Sequence, residues 1–330
     1  MKLCILDPAC HVPGLKLLFP EAGYFSHEPD SFFNFVATKH YTKQENLHYT
    51  GIEYNTDWQN INSNNYDTLF IVVPLADYFD PLNKEFGNSL IPMRNRIKDI
   101  IDTNTFSNVS LFDIYDYDYD PSTMNTLWPV SHYFKRNYNR TKKYNSNVYP
   151  FPYIMFTKPC VLTMCLNHDL NEYCIKKNAA IWCGGLYNHI DEKRKIKRNR
   201  LDIYNEIKGT VITVHNLPRE DWIRCIKSTK IIVDIIGVGE PNHRTFEVLT
   251  NGTLILSMNY DLEWGFDKTD AFHDFTFFKT ADEFKYKLHV LLTDETMYKE
   301  CLERQNMIVN KYFNKDFFRG YILRHINNLV

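Results

Sequence analysis

Short apolar runs alternate with helical or polar stretches along the first half of the chain. Residues 2–6, 68–73 and 109–112 have the length and composition of buried strands. Between the last two, residues 91–101 carry isoleucines at helical spacing, with charged residues on the opposite side. Strands that alternate with helices in this way predict a parallel sheet covered on both faces.

The alternation restarts after prolines at positions 150, 152 and 159, which predict a linker or domain edge. The second half predicts strands at 179–183, 211–214, 231–235 and 253–256 and helices at 191–207, 219–227 and 244–250, and then helix to the end. The chain is therefore expected to be α/β, with two Rossmann-like halves. The predicted boundaries are 1–160 for the N-terminal domain, 161–310 for the C-terminal domain and 311–330 for a last helix.

Composition narrows the class of protein. A chain of 330 residues with 44% hydrophobic residues is long and apolar enough for two cores, which excludes a disordered chain. A net charge of -2 argues against a nucleic-acid footprint over the whole protein. The eight cysteines form no CxxC pair, no apolar run approaches 18 residues, and the start lacks signal-peptide features. These features predict reduced thiols and a cytoplasmic protein, and the Asn, Lys, Ile and Tyr content suggests an AT-rich genome such as that of a large DNA virus.

Residues 231–256 place a strand, a glycine loop, a helix start and another strand in close succession. Free N–H groups at a helix start favour a diphosphate, and Gly237 and Gly239 allow the backbone to approach it closely. Arg244 supplies a positive charge. Glu247, one turn later on the same face, can accept hydrogen bonds from ribose hydroxyls. The alternative is that Arg244 and Glu247 form a surface ion pair at i,i+3 spacing.

The run RTFEVLTNGTLILS at 244–257 resembles the R-x-F-E-x-x-x-x-G-x-x-x-x-S signature of GT-B glycosyltransferases, nearest to the family 1/4-like branch with spore-maturation-type enzymes. Two further segments resemble that family. AIWCGG at 180–185 is similar to the opening of its C-terminal domain, and HYFKRNY at 132–138 with YPFPY at 149–153 is similar to the segment before its interdomain linker. The resemblance covers about two thirds of the chain.

The resemblance implies a GT-B fold, with two Rossmann-like domains facing across a cleft and a last helix that returns to the N-terminal domain. It implies transfer of a sugar from a UDP- or GDP-sugar to an acceptor, with no cofactor and no essential metal. Arg244 would contact the donor diphosphate, Glu247 the ribose, and Gly185 would let the phosphates approach. The full predicted donor-binding set is Gly185, Arg194, Gly239, Asn242, Arg244 and Glu247. Retaining members carry seven residues between two glutamates, whereas Glu240 and Glu247 have six, so Glu240 is given no role.

A general base is expected in the N-terminal domain. His11, in DPACHVPG after the first strand, resembles the catalytic histidine loop of plant-type inverting GT-B enzymes, although Cys10 replaces a glycine. Asp113, at the end of VSLFD, would orient that histidine and fix its tautomer. Asp77 is the reserve base. The alternative interpretation makes His11 an ordinary loop residue and Asp113 a strand-end cap.

Two weaker signals leave alternatives open. Asp116, Asp118 and Asp120 resemble the D-x-D metal site of GT-A transferases, but such aspartates also occur in solvated loops. The basic run at 193–200 has three interpretations. It is a solvated helix face, a phosphate contact through Arg194, or a site for an acidic acceptor such as nucleic acid.

Three other functions remain open. A nucleotide-sugar epimerase uses the same fold, a phage-type DNA-base glucosyltransferase shares its architecture and length, and a non-catalytic sugar-binding protein keeps the fold without turnover. The expected partners are a nucleotide sugar and a glycan, protein or small-molecule acceptor.

Overall fold

The computed structural model forms two compact units. One contains the described residues within Met1–Leu162 and Lys315–Val330, and the other those within Thr163–Asp261 and Phe266–Asn314. The structure describes residues 1–8, 14–26, 54–73, 75, 84–114, 120–123, 128–136, 138–139, 141–151, 170, 177–183, 189–191, 196–198, 200–215, 217–235, 243–258 and 270–327.

The elements of these residues are numbered in chain order. The strands are β1 (Leu3–Leu6), β2 (Gly23–Phe25), β3 (Thr68–Val73), β4 (Asn108–Asp113), β5 (His132–Lys135), β6 (Val148–Pro150), β7 (Lys177–Cys183), β8 (His189–Asp191), β9 (Ile196–Arg198), β10 (Ile212–Val214), β11 (Thr229–Asp234), β12 (Leu254–Met258) and β13 (Phe277–Phe278). The α-helices are α1 (Gly14–Leu18), α2 (Lys84–Asp102), α3 (Arg200–Ile207), α4 (Arg219–Ser228), α5 (His243–Thr250), α6 (Ala281–Thr293), α7 (Glu295–Tyr312) and α8 (Lys315–Ile326).

The first unit contains a parallel sheet with strand order β2-β1-β3-β4-β5-β6. The apolar run of β3 forms its centre, and every residue of that strand is buried. On α2, Ile97, Ile100 and Ile101 pack into the same core as β1, β3 and β4, as their helical spacing predicts. The direction of strand succession reverses at β1. In sheets of this kind, ligands bind at the carboxyl ends of the two strands beside the reversal. In the first unit these two strands are β1 and β3.

The second unit repeats this arrangement. Its five parallel strands have the order β10-β7-β11-β12-β13, which reverses at β7. Helices α5, α6 and α7 cover the sheet, and Phe284, Leu288 and Leu291 of α6 belong to its core. The prediction of two Rossmann-like α/β halves is confirmed.

One local prediction was wrong. The helix expected over 191–207 begins only at Arg200, because residues 189–191 and 196–198 form the antiparallel pair β8–β9. Charged residues on every side of the run at 193–200 would leave a helix there without a continuous apolar face to pack. The linker or domain edge predicted to begin near Pro150 stays a prediction. Strand β6 pairs with β5 at the edge of the sheet and ends at that proline, as edge strands allow.

Helix α8 packs within the first unit. The Arg319 guanidinium donates to the Leu18 carbonyl at 2.8 Å and to Glu21 at 2.6 Å. The Tyr321 hydroxyl donates to the Pro150 carbonyl at 2.7 Å. These hydrogen bonds therefore connect α8 to the end of α1 and to the end of β6.

His325 lies in the aromatic contact between α8 and the sheet. Its ring stacks on Tyr149 with the centroids 4.0 Å apart and meets Tyr321 edge-on at 4.6 Å. Its Nδ1 is buried, with no hydrogen-bond partner among the described residues. Burial, followed by the charges of Arg324 and His132, lowers the pKa of His325 to about 4.

We therefore expect the stability of the folded chain to fall between pH 6.5 and 4. In that range the unfolded chain binds a proton at His325 and the folded chain does not, so stability rises with pH through the window and is fully present above it. The effect is about 1–3 kcal/mol. Urea unfolding of wild type and His325→Phe from pH 4.5 to 7.5 measures it, and the difference between the two should change steadily across the window. A difference that is constant with pH would contradict the assignment.

The described part of the chain contains no helix that is long and apolar enough to cross a membrane. Four of the eight cysteines lie in described segments, and none of these four forms a disulfide: Cys4, Cys183, Cys225 and Cys301.

Candidate functional site

The candidate site lies at the carboxyl edge of the second unit's sheet, where the strand order reverses between β7 and β11. β7 ends at Cys183 and β11 at Asp234, and α5 begins at His243. Helix α5 therefore begins nine residues beyond the end of β11, a strand beside the reversal. At such an edge the helix N–H groups and the helix dipole favour an anion.

Arg244 is held across this edge. From the first turn of α5 its Nη1 donates to the carbonyl oxygen of Cys183 at 2.9 Å, and the side chain is half-buried. Thr245 fixes the same turn, because its hydroxyl donates to Asp234 Oδ2 at 2.9 Å. A guanidinium is thus fixed between the ends of the two strands that flank the reversal.

Arg200 is a second cation at the same edge, which the sequence analysis did not select. Its Nε and Nη2 donate to the Ile235 carbonyl at 3.1 and 2.9 Å, and the residue is only 7% exposed. The basic run drew attention to Arg194 instead. No local pattern distinguished Arg200 within that run, because the helix was expected over 191–207, whereas α3 begins only at Arg200, after the strand at 196–198.

Glu247 is buried one turn after Arg244. It is 2% exposed, and its Oε2 accepts a hydrogen bond of 2.8 Å from the indole N–H of Trp222 on α4. Its position is therefore not that of a surface ion pair, which was the alternative interpretation of Arg244 and Glu247. The sequence did not single out Trp222, since the two residues are 25 positions apart.

A small cavity of about 20 Å³ lies beneath these side chains, enough for about one water molecule. Its lining includes Trp182, Cys183, Arg200, Trp222, Asp234, Ile235, Arg244 and Thr245. Burial, partly offset by Arg244, raises the pKa of the Cys183 thiol.

Four predicted donor-binding residues lie outside the described residues: Gly185, Arg194, Gly239 and Asn242. Their roles stay predictions. Of the predicted donor set, the structure brings Arg244 and Glu247 together on one face of α5.

Asp113 lies at the carboxyl end of β4 in the first unit and is fully buried. Its Oδ1 accepts from the backbone N–H of Leu75 at 3.1 Å, and its Oδ2 accepts from the ammonium of Lys135 at 3.2 Å. Lys135 is also 0% exposed, and the sequence gave no reason to select it. His11 and Asp77 lie outside the described residues, so the predicted link between His11 and Asp113 stays a prediction.

The aspartate alternation at 116–120 is described only at Asp120, since Asp116 and Asp118 lie outside the described residues. Asp120 Oδ1 accepts from the Ser122 backbone N–H at 2.9 Å, and its Oδ2 accepts from the Asn145 N–H at 3.1 Å. Within the described segments, no three His, Cys, Asp or Glu residues cluster as a metal site. Because two of the three aspartates lie outside the described residues, the interpretation of 116–120 as a D-x-D metal site is not tested.

No protein-family model matches the chain, and no curated protein matches it significantly in sequence. Solved structures match over almost its whole length. The chain is similar to T4 phage β-glucosyltransferase in complex with UDP-glucose, with 12% identity, 99% of this chain and 100% of that chain covered, and a TM-score of 0.52. The Anabaena protein HepE in complex with UDP has 9% identity, coverage of 99% and 100%, and a TM-score of 0.52.

A third structure, the O-GlcNAc transferase of Thermobaculum terrenum, has 10% identity and a TM-score of 0.51 over 100% of this chain and 69% of that chain. Identities of 9 to 12% show the fold alone. Together with the two parallel sheets, each reversing at its first strand, these similarities show that the chain has the α/β GT-B fold of glycosyltransferases.

Proposed function

We propose that the chain is a glycosyltransferase that takes a sugar from a nucleoside-diphosphate sugar and transfers it to an acceptor hydroxyl. The observation that carries the proposal is the pairing on α5 of a fixed guanidinium, Arg244, with a buried carboxylate, Glu247, at the reversal of the sheet. A cation beside a helix start suits a diphosphate, and a carboxylate one turn later can accept hydrogen bonds from ribose hydroxyls.

The donor site stabilises the leaving group. As the bond between the sugar C1 and the diphosphate oxygen breaks, negative charge grows on the diphosphate. Arg244 and the N–H groups at the start of α5 lie at the strand ends to receive that charge, and Gly185, Arg194, Gly239 and Asn242 complete the proposed cradle. These cationic and N–H groups allow the leaving group to depart without an essential metal, and no cofactor is involved.

For transfer with inversion, the acceptor oxygen attacks C1 while a base takes its proton. His11 is the proposed base, and Asp113 orients it. Asp77 is the second candidate for the base. His11 and Asp77 follow β1 and β3, the two strands at the reversal in the first unit. The buried pair of Asp113 with Lys135 keeps the end of β4 in a fixed geometry, which favours a positioning role for Asp113.

Nucleotide binding tests the proposal directly. We expect UDP or GDP and the corresponding sugar nucleotides to stabilise the chain in thermal unfolding, by about 2.7 kcal/mol at 100 times the dissociation constant. ADP, CDP and inorganic phosphate complete the panel. If no nucleoside diphosphate or nucleotide sugar shifts the unfolding temperature, the proposed function fails.

The product distinguishes the related functions. A saccharide linked to an acceptor indicates transfer, whereas an epimerised or free sugar with no linked product indicates an epimerase. Donor hydrolysis that disappears in Glu247→Ala excludes a non-catalytic sugar-binding protein.

A DNA acceptor is the second candidate. One matching structure is that of the DNA modifying enzyme β-glucosyltransferase, and the alignment covers 99% of this chain and 100% of that one. Glucosylation of a DNA base needs a hydroxyl on that base. Incubation with UDP-glucose and double-stranded DNA containing hydroxymethylated bases tests the candidate, with unmodified DNA as the control. Label incorporated into neither DNA would contradict it.

A further inference from the structure

The carboxylate of Glu247 is anchored on one side by a rigid donor. An indole N–H donates and cannot accept, so the 2.8 Å contact with Trp222 fixes one carboxylate oxygen as the acceptor. The main chain of Glu247 is fixed too, since its carbonyl accepts from Asn251 Nδ2 at 2.7 Å. The side chain therefore has little freedom to rotate.

Trp222 is itself held in place. It is 6% exposed and lies in the first turn of α4, where its backbone N–H donates to the Pro218 carbonyl at 2.9 Å. At the other end of α4, the carbonyl of Ile226 accepts from the Thr253 hydroxyl at 2.8 Å, just after α5 ends. Two helices thus hold the donor and the acceptor of one hydrogen bond in fixed positions.

We propose that Trp222 is a positioning residue that orients Glu247 toward the ribose hydroxyls and so makes the site selective for ribonucleotides over 2′-deoxyribonucleotides. This inference rests on the proposed function. A carboxylate already oriented loses little freedom when a ribose binds, so each hydroxyl contributes more to affinity. A 2′-deoxyribose removes one donor from a buried carboxylate, which weakens binding by roughly 10- to 100-fold, or about 1.4–2.8 kcal/mol.

The experiment compares ribose and deoxyribose on matched variants. Calorimetry measures the tightest binder among UDP, GDP, ADP and CDP, and its 2′-deoxy counterpart, on wild type and Trp222→Phe. Phenylalanine keeps an aromatic ring and removes the N–H. We expect about 5- to 10-fold weaker binding of the ribonucleotide and less than about 2-fold for the deoxynucleotide, because only the ribonucleotide uses the anchored carboxylate fully.

Trp58→Phe is the matched control. Trp58 is a buried tryptophan of the first unit whose Nε1 donates to the Ser26 carbonyl at 3.2 Å, so the substitution makes the same chemical change away from Glu247. It should leave the ratio of the two affinities unchanged. In a Glu247→Ala background, which removes the acceptor of the indole N–H, Trp222→Phe should add almost nothing, since the two residues act as one unit.

The outcomes separate the inference from the proposed function. An equal loss for both nucleotides in Trp222→Phe would show a merely structural role and overturn the inference. If that variant does not fold, benzothienylalanine at position 222, which keeps the indole shape without the N–H, must show the same selective loss. Wild type that binds none of the four nucleotides would instead defeat the proposed function, and the inference with it.

Discussion

Replacing Arg244 with alanine is expected to lower kcat/KM for the nucleotide-sugar donor by about 10²- to 10³-fold, the loss typical of removing one fixed donor to a developing anion. The guanidinium is held at the strand ends by its 2.9 Å hydrogen bond to the Cys183 carbonyl, so it needs no rearrangement when charge develops. Folding should change little, because the side chain is only half-buried. Steady-state donor hydrolysis or transfer, measured alongside thermal unfolding, checks both parts.

Two variants control this result. Arg244→Lys keeps the charge but loses the planar fork that matches phosphate oxygens, so its activity should fall between wild type and Arg244→Ala. Arg224→Ala removes an arginine whose side chain is 76% exposed on α4 and pairs with Asp221, and its activity should equal that of wild type. Equal activity in Arg224→Ala and Arg244→Ala would refute the diphosphate role of Arg244.

The donor half of the fold could be predicted because its signals are local. Between 231 and 256 a continuous apolar run, a helical period and a terminating glycine follow one another within one βαβ unit. The structure ends α5 as that pattern predicts: Gly252 adopts φ +63° and its N–H donates to the Leu249 carbonyl, while the Thr253 N–H donates to Val248. Local periodicity also predicted β3 and the second half of α2, over 91–101, whereas α2 begins at Lys84.

The features that sequence reasoning missed depend on distant parts of the chain. Strands β2 and β6 have three residues each, too few for a periodic signal, and exist because neighbouring strands pair with them. The contacts of Trp222 with Glu247 and of Lys135 with Asp113 join residues more than 20 positions apart. The topology of the sheets brings these residues together, and no spacing of residues in the sequence predicts their contacts.

Lys135→Met is expected to destabilise the first unit by about 3–5 kcal/mol, the cost of breaking a buried ion pair from one side. Lys135 and Asp113 are both 0% exposed, at adjacent positions where β4 and β5 pair. Methionine has a similar length but no charge, so the Asp113 carboxylate stays in the interior without its lysine. Urea unfolding at pH 7, followed by the fluorescence of the tryptophans, measures the change in the free energy of unfolding.

The double variant Asp113→Asn with Lys135→Met should recover most of that loss, because neither remaining side chain carries a charge. Asparagine keeps the Oδ1 acceptor for the Leu75 N–H, which preserves the contact between the ends of β3 and β4. Asp113→Asn alone should be destabilised by a comparable amount to Lys135→Met, since it leaves the ammonium buried. If the double variant is as unstable as the sum of the two single ones, charge pairing does not explain the stability of this edge, and packing of the lysine stem must account for it.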